Sequence, residues 1–294
     1  MRGKPSYHLY AAITILFWSM AFVFTRLALK HFSADALGLL RYLIASAALL
    51  VVALFTRMKR PALRDVPWFL LSGAVGFAVY MMVFNRGSQS VSSSTGSVIL
   101  ATTPILTALL ARWIYKEKLR GLQYAAIGVS FLGVAVLTVL RGGFTLGGGL
   151  VFMFASALLV AIYNLLQRRL TRTYTALQST TYSIFAGTLM LCVYLPQAIP
   201  EVRTAAPEQF LYLAILGIFS SAVAYCAWAK ALSLAENASS VSNYMFITPF
   251  LTTLLGLWIA GEPLELSTAV GGALIIGGLL LFRFGPRLLR ARAR

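Results

Sequence analysis

Acid-base, metal and nucleophilic chemistry needs carboxylates, imidazoles or thiols held close together, and this 294-residue chain has few: eight Asp and Glu, two His and two Cys. The acids are Asp35, Asp65, Glu117, Glu201, Glu208, Glu236, Glu262 and Glu265, and each lies between or at the ends of long apolar stretches. His8 and His31 flank the first stretch at opposite ends. Cys192 and Cys226 lie inside two others, where a lone thiol behaves as a small hydrophobe. No acidic cluster or His pair could hold a metal or a metal-pyrophosphate, and no G-x-x-x-x-G-K-S/T loop could cradle a phosphate. Enzymatic chemistry, a bound cofactor or metal, and ATP hydrolysis are therefore not expected.

The apolar stretches hold instead large side chains with polar tips: Trp18, Tyr80, Tyr163, Asn164, Gln167, Tyr225, Trp228, Asn243 and Tyr244. Tyr80 and Tyr225 lie 145 residues apart, and so do Trp18 and Tyr163. Rings with a hydrogen-bonding tip suit recognition of an amphipathic small molecule, since they offer apolar area and a few directional bonds. Each could equally belong to an interfacial aromatic belt. Arg41 stands about seven residues into the second stretch, where a cation is costly and needs a partner. Asp35 or helix-end carbonyls are the expected partners, and a ligand carboxylate is the alternative.

These residues must be positioned by elements that lie in a bilayer. With 59% hydrophobic and 11% charged residues, and a mean hydropathy of +0.81, the chain is far from the globular norm of about 25% charged. Apolar runs long enough to cross a ~30 Å hydrocarbon core fall at roughly 9–30, 34–56, 66–85, 93–113, 121–140, 149–167, 175–195, 209–231, 239–260 and 267–284. The expected fold is an all-α integral membrane protein of ten transmembrane helices. The first run is too long for a signal peptide and lacks a cleavage site. Of 25 Lys and Arg, 19 fall on one side if the N-terminus is cytoplasmic. That bias places both termini in the cytoplasm and accounts for the net charge of +17 without nucleic acid.

One passage occurs twice. Ser97, Thr103, Pro104, Leu106, Thr107, Leu109, Leu110, Trp113, Ile114, Glu117 and Leu119 meet Ser242, Thr248, Pro249, Leu251, Thr252, Leu254, Leu255, Trp258, Ile259, Glu262 and Leu264, or 11 of 23 aligned positions. The chain reads as two five-helix repeats, 1–142 and 143–294. Five is odd, so the second enters the membrane inverted, an arrangement found in secondary transporters with a midplane site between the halves. Pro104 and Pro249 each remove a helical N–H and crowd the carbonyl four residues back, on Leu100 and Met245. Paired kinks at that depth point to a cavity, whereas a carbonyl capped by Thr103 or Thr248 would make each a packing feature. Glu117 and Glu262 read as helix-end caps or local pairs. The glycines at 128, 133, 271, 272, 277 and 278 allow close helix packing or a dimer face.

Trp-Ile-Tyr-Lys-Glu-Lys-Leu at 113–119 and Trp-Ile-Ala-Gly-Glu-Pro-Leu at 258–264, with Phe17-Trp18-Ser19 and Leu40-Arg41-Tyr42, resemble the EamA family of the drug/metabolite transporter superfamily across the chain. The resemblance implies a small-metabolite permease, often an exporter, whose central cavity is lined by helices 1, 3, 4, 6, 8 and 9. Phe22 stands where many relatives carry a polar residue. Aromatic amino-acid exporters occur in the family. The expected function is transport of small amphipathic metabolites, amino acids including aromatic ones, by alternating access without a buried carboxylate for proton coupling. An intramembrane lipid-modifying enzyme and a channel are the alternatives. The candidate substrate contacts are Trp18, Tyr80, Pro104, Tyr163, Asn164, Tyr225, Trp228, Tyr244 and Pro249. The expected partners are a small-molecule substrate and the lipid bilayer, in a multi-pass inner-membrane protein that is a monomer or weak homodimer.

Overall fold

A computed structural model describes residues 7–116, 121–140, 148–235, 241 and 243–292, and all regular structure among them is helical. Seven helical stretches are long and apolar enough to span a membrane: Tyr7–Ala28, Ala34–Phe55, Leu63–Ser90, Ser93–Ile114, Gly148–Leu170, Ala176–Arg203 and Pro207–Leu234. Three shorter apolar helices are Gly121–Val136, Tyr244–Ala260 and Leu266–Phe282. Helices α1 (Tyr7–Ala28) and α2 (Ala34–Phe55) are joined by a tight turn in which the Ser33 side chain accepts from the Ala36 amide and Asp35 occupies the first turn.

Several stretches are interrupted, and the interruptions recur at matching places. The third begins as α3 (Val66–Gly73), widens to a π-helical segment at Ala74–Ala78 and continues as α4 (Val79–Ser90). The fourth breaks between α5 (Ser93–Leu100) and α6 (Thr103–Tyr115). After α7 (Gly121–Leu140), α8 (Gly148–Leu170), α9 (Ala176–Leu191) and α10 (Leu195–Arg203), the pattern returns. Helix α11 (Pro207–Ala214) passes through a π segment at Ile215–Val223 into α12 (Ala224–Leu234). A 3-10 turn at Asn243–Ile247 then precedes α13 (Thr248–Ala260). Pro104 and Pro249 each sit in the first turn of the resumed helix, where the missing N–H is no loss. Both resumed helices end on a left-handed residue, Lys116 (φ 54°) and Gly261 (φ 62°). The last helix is α14 (Leu266–Arg292).

The surface carries the bilayer signature. Trp113 and Trp258, 82% and 86% exposed, and Phe55 and Leu254 project outward, as side chains do when the solvent is hydrocarbon. Inside, the main cluster centres on Tyr42, Phe77, Tyr163, Tyr225 and Trp228. Helix α7 packs along α14 through glycines: a Cβ on Gly133 would fall 2.7 Å from the Ile275 amide nitrogen, and one on Gly278 would fall 2.8 Å from the Ala126 carbonyl oxygen. Gly133 and Gly278 therefore serve packing within the chain, whereas Gly128 and Gly277 face open space. At one end of the bundle the Tyr174 hydroxyl donates to Asp65 (2.6 Å), a bond to a carboxylate that raises the phenol above its ordinary pKa.

Candidate functional site

A cavity forms where the interrupted helices meet. Each π segment ends two residues before a cavity-lining tyrosine, Tyr80 after Ala74–Ala78 and Tyr225 after Ile215–Val223. A π turn shifts the helical register by about one residue, which re-aims every side chain beyond it, and such turns occur often at functional sites. The breaks before the prolines contribute in the same way: Leu100 and Met245, whose carbonyls Pro104 and Pro249 cannot serve, both line the cavity. Helix α1 adds Trp18 and Phe22, α4 adds Phe84, and α13 adds Thr248.

The lining is aromatic and tightly interlocked. Trp18 lies 5.1 Å from Tyr225 and 4.9 Å from Trp228 between ring centroids, and Tyr80 stacks on Phe84 at 5.4 Å. The space left amounts to about 30 Å³, room for one or two waters. Helices or side chains must therefore move before anything the size of an amino acid can enter.

Arg41 lines this cavity and is 3% exposed. Asp35 is not its partner, because Asp35 is held by Arg86 at 2.9 Å. Six residues along a helix is about 9 Å and 240° of rotation, so the two side chains point away from each other. Instead Arg41 Nε donates to Ser221 Oγ at 2.6 Å, and Nη1 approaches Met81 Sδ at 3.8 Å. Ser221 lies in the second π segment, and Gly217 in that segment lets it come close, since a Cβ there would sit 2.9 Å from the Arg41 carbonyl oxygen. Among the described residues Arg41 is the one buried charged side chain.

The two Thr-Pro breaks differ in one respect. Thr103 Oγ1 donates to the Leu100 carbonyl at 2.6 Å and so occupies the acceptor that Pro104 releases. Thr248 Oγ1, its counterpart, is buried without a partner, as is Trp18 Nε1. The first break is capped by its own threonine. The second leaves a free hydroxyl in the cavity wall.

Of the sequence candidates, Trp18, Tyr80 and Tyr225 line the cavity. Tyr163, Asn164 and Trp228 form a layer behind it, with Trp228 Nε1 donating to Asn164 Oδ1 at 2.9 Å and the Tyr163 ring against Phe77 and Tyr225. Gln167 belongs to a separate polar knot with Ser72, Ser179 and Ser183. Tyr244 is bonded to His8 in the first turn of α1 and does not line the cavity. Pro249 borders a groove between α13 and α14 that includes Leu254, Gly272 and Ile276, and Pro104 shapes the α5/α6 break without lining. The Asn243 side chain and Glu117 lie outside the described residues. Sequence reasoning missed Phe84, Ser97, Val160 and Thr248 as lining, and treated Phe22 only as a departure. Glu262 does not pair locally: it bonds the Ser93 amide and hydroxyl, each at 2.9 Å, and meets Arg26 at 3.2 Å, tying α13 to α5 and α1.

The chain is similar to known transporters over most of its length. The model of the EamA-like transporter family matches residues 5–139 and again 147–284. The uncharacterized transporter YdfC of Bacillus subtilis is 32% identical over 270 residues, covering 91% of this chain and 88% of that one. A protein of Streptantibioticus cattleyicolor named "Probable terminal-alkyne amino-acid exporter" is 30% identical over 269 residues, covering 92% of this chain and 90% of that one. A crystal structure shares the fold at 20% identity, with a TM-score of 0.66 over 96% of this chain and 98% of the other.

Proposed function

The chain belongs to the EamA-like transporter family and is a multi-pass membrane protein, and from that premise we propose that it is a secondary transporter of small amphipathic metabolites, amino acids including aromatic ones among them. On this reading two inverted five-helix repeats, 1–142 and 143–294, rock about the central cavity with both termini in the cytoplasm. The protein sits in the plasma membrane and acts as a carrier, not an enzyme.

The observation that carries the proposal is the cavity itself, walled by the first half through Trp18, Arg41, Tyr80 and Phe84 and by the second through Val160, Tyr225, Met245 and Thr248. A site shared between halves is one that relative motion of the halves can expose to either side. The name of the Streptantibioticus relative supports an amino-acid cargo. The buried charge at the site is a guanidinium and not a carboxylate, which favours facilitated diffusion or exchange over coupling through an acid relay. Uptake of a labelled amino-acid panel by proteoliposomes tests the reading. Saturable flux of one or more aromatic or branched amino acids, reduced by Tyr80→Ala and Trp228→Ala, is expected, and no saturable flux of any amino acid would remove this substrate class.

A further inference from the structure

We propose that Arg41 anchors a carboxylate of the transported molecule, with Trp18 Nε1 and Thr248 Oγ1 as accessory donors, so that the ligand class is an amphipathic carboxylate whose apolar part rests on Trp18, Phe22 and Phe84. The inference rests on the central cavity being the transport site and specifies what that site accepts.

A cation buried at membrane depth has to be offset by an anion or by dense hydrogen bonding. Among the described residues Arg41 has neither, only the face of the Tyr42 ring 5.8 Å away. Its two protein acceptors are a hydroxyl, Ser221 Oγ, and a thioether, Met81 Sδ. A guanidinium offers five N–H donors in a planar fork, so most of its capacity, including Nη2, has no bond to the described residues. Three of the described acids are engaged elsewhere: Asp35 with Arg86, Glu201 with the Ser33 amide, and Glu262 with Arg26 and Ser93. The other unpartnered polar atoms of the lining are Trp18 Nε1, which can only donate, and Thr248 Oγ1, which can. No Asp or Glu among the described residues lines the cavity to receive a cationic ligand.

Three donors in a wall whose other polar groups are the hydroxyls of Tyr80, Tyr225 and Ser97 suit a planar monoanion. The fork of Arg fits a carboxylate through two parallel N–H bonds. A phosphate dianion would bring one charge more than a single guanidinium neutralises. The cation is recessed among rings, so the molecule that reaches it must carry an apolar portion to replace the waters it displaces.

Calorimetric titration of the purified full chain in lipid nanodiscs with 3-phenylpropanoate, 3-phenylpropanamide and 3-phenylpropylamine tests the site, since the three differ only at the head group. The acid should bind roughly tenfold to a hundredfold more tightly than the amide, the range of a charge-assisted hydrogen-bonded pair, and the amine should bind more weakly than both. Arg41→Gln should abolish the preference for the acid, and Arg41→Lys should retain part of it. Thr248→Val should weaken the acid several-fold and leave the amide unchanged. Equal binding of acid and amide by the wild-type chain would overturn the proposal, as would absence of binding of the acid, or a folded Arg41→Gln chain that keeps the preference. Should Arg41→Gln fail to fold, the wild-type acid-to-amide ratio and Thr248→Val decide the matter. Saturable transport with no acid preference would refute the anion site and leave the carrier reading intact. Arg41-dependent acid binding without flux would uphold the anion site and remove the carrier reading.

Discussion

Tyr163 lies against Gly76 so closely that a Cβ at that glycine would fall 2.2 Å from the tyrosine ring. Gly76 is in the first π segment, and Tyr163 supports Phe77 and Tyr225 behind the cavity. Gly76→Ala should therefore force the ring out of place, at a cost of about 1–3 kcal/mol, and lower the thermal unfolding midpoint. Gly128→Ala is the control: its Cβ would meet nothing within 4 Å, so the higher helix propensity of Ala should leave the midpoint unchanged or raise it. Equal losses from both would mean that Tyr163 has room to move. At this scale the ring-bearing candidates were legible because a polar tip inside an apolar run is conspicuous. Trp18, Tyr80 and Tyr225 were found that way. Phe84 and Val160 were not, because nothing in their composition separates a cavity wall from ordinary core. Arg41 was legible as a cation in need of an anion, but nearness in sequence suggested Asp35, and helix geometry rules that pairing out.

At the scale of elements, the two Thr-Pro breaks are the same sequence with different local bonding. Thr103 spends its hydroxyl on the Leu100 carbonyl, and Thr248 leaves its own unpartnered. Thr103→Val should destabilise the chain by about 1 kcal/mol through the exposed carbonyl. Thr248→Val should be neutral or slightly stabilising, because no bond is lost and a buried unpaired hydroxyl is removed. Chemical unfolding of the two variants side by side measures the difference, and equal effects would show that the breaks are bonded alike. The prolines were readable as kinks from sequence, since Pro cannot donate at any depth. The π segments were not. A wide turn has no residue signature comparable to proline, and it is held by packing, as where Gly217 admits α2 and sets Ser221 on Arg41.

For the whole molecule, the exposed Trp113 and Trp258 and the buried Thr103 and Thr248 divide each copy of the repeated passage into an outward-facing part and an inward-facing part. The apolar lengths and the period of 145 residues made the membrane class and the duplication legible, since both depend on composition and order alone. The size of the cavity was not, because it depends on how closely distant helices pack their side chains against one another. At about 30 Å³ the site is too small for an amino acid as it stands, so the proposed carrier cycle requires it to open and close around its cargo, which is what separates a carrier from a pore. Counterflow measures that difference directly. In proteoliposomes without a pH gradient, unlabelled L-phenylalanine inside should accelerate entry of labelled L-phenylalanine several-fold, with saturation on the outer side. Entry that fails to saturate and is indifferent to the internal amino acid would contradict alternating access at this cavity.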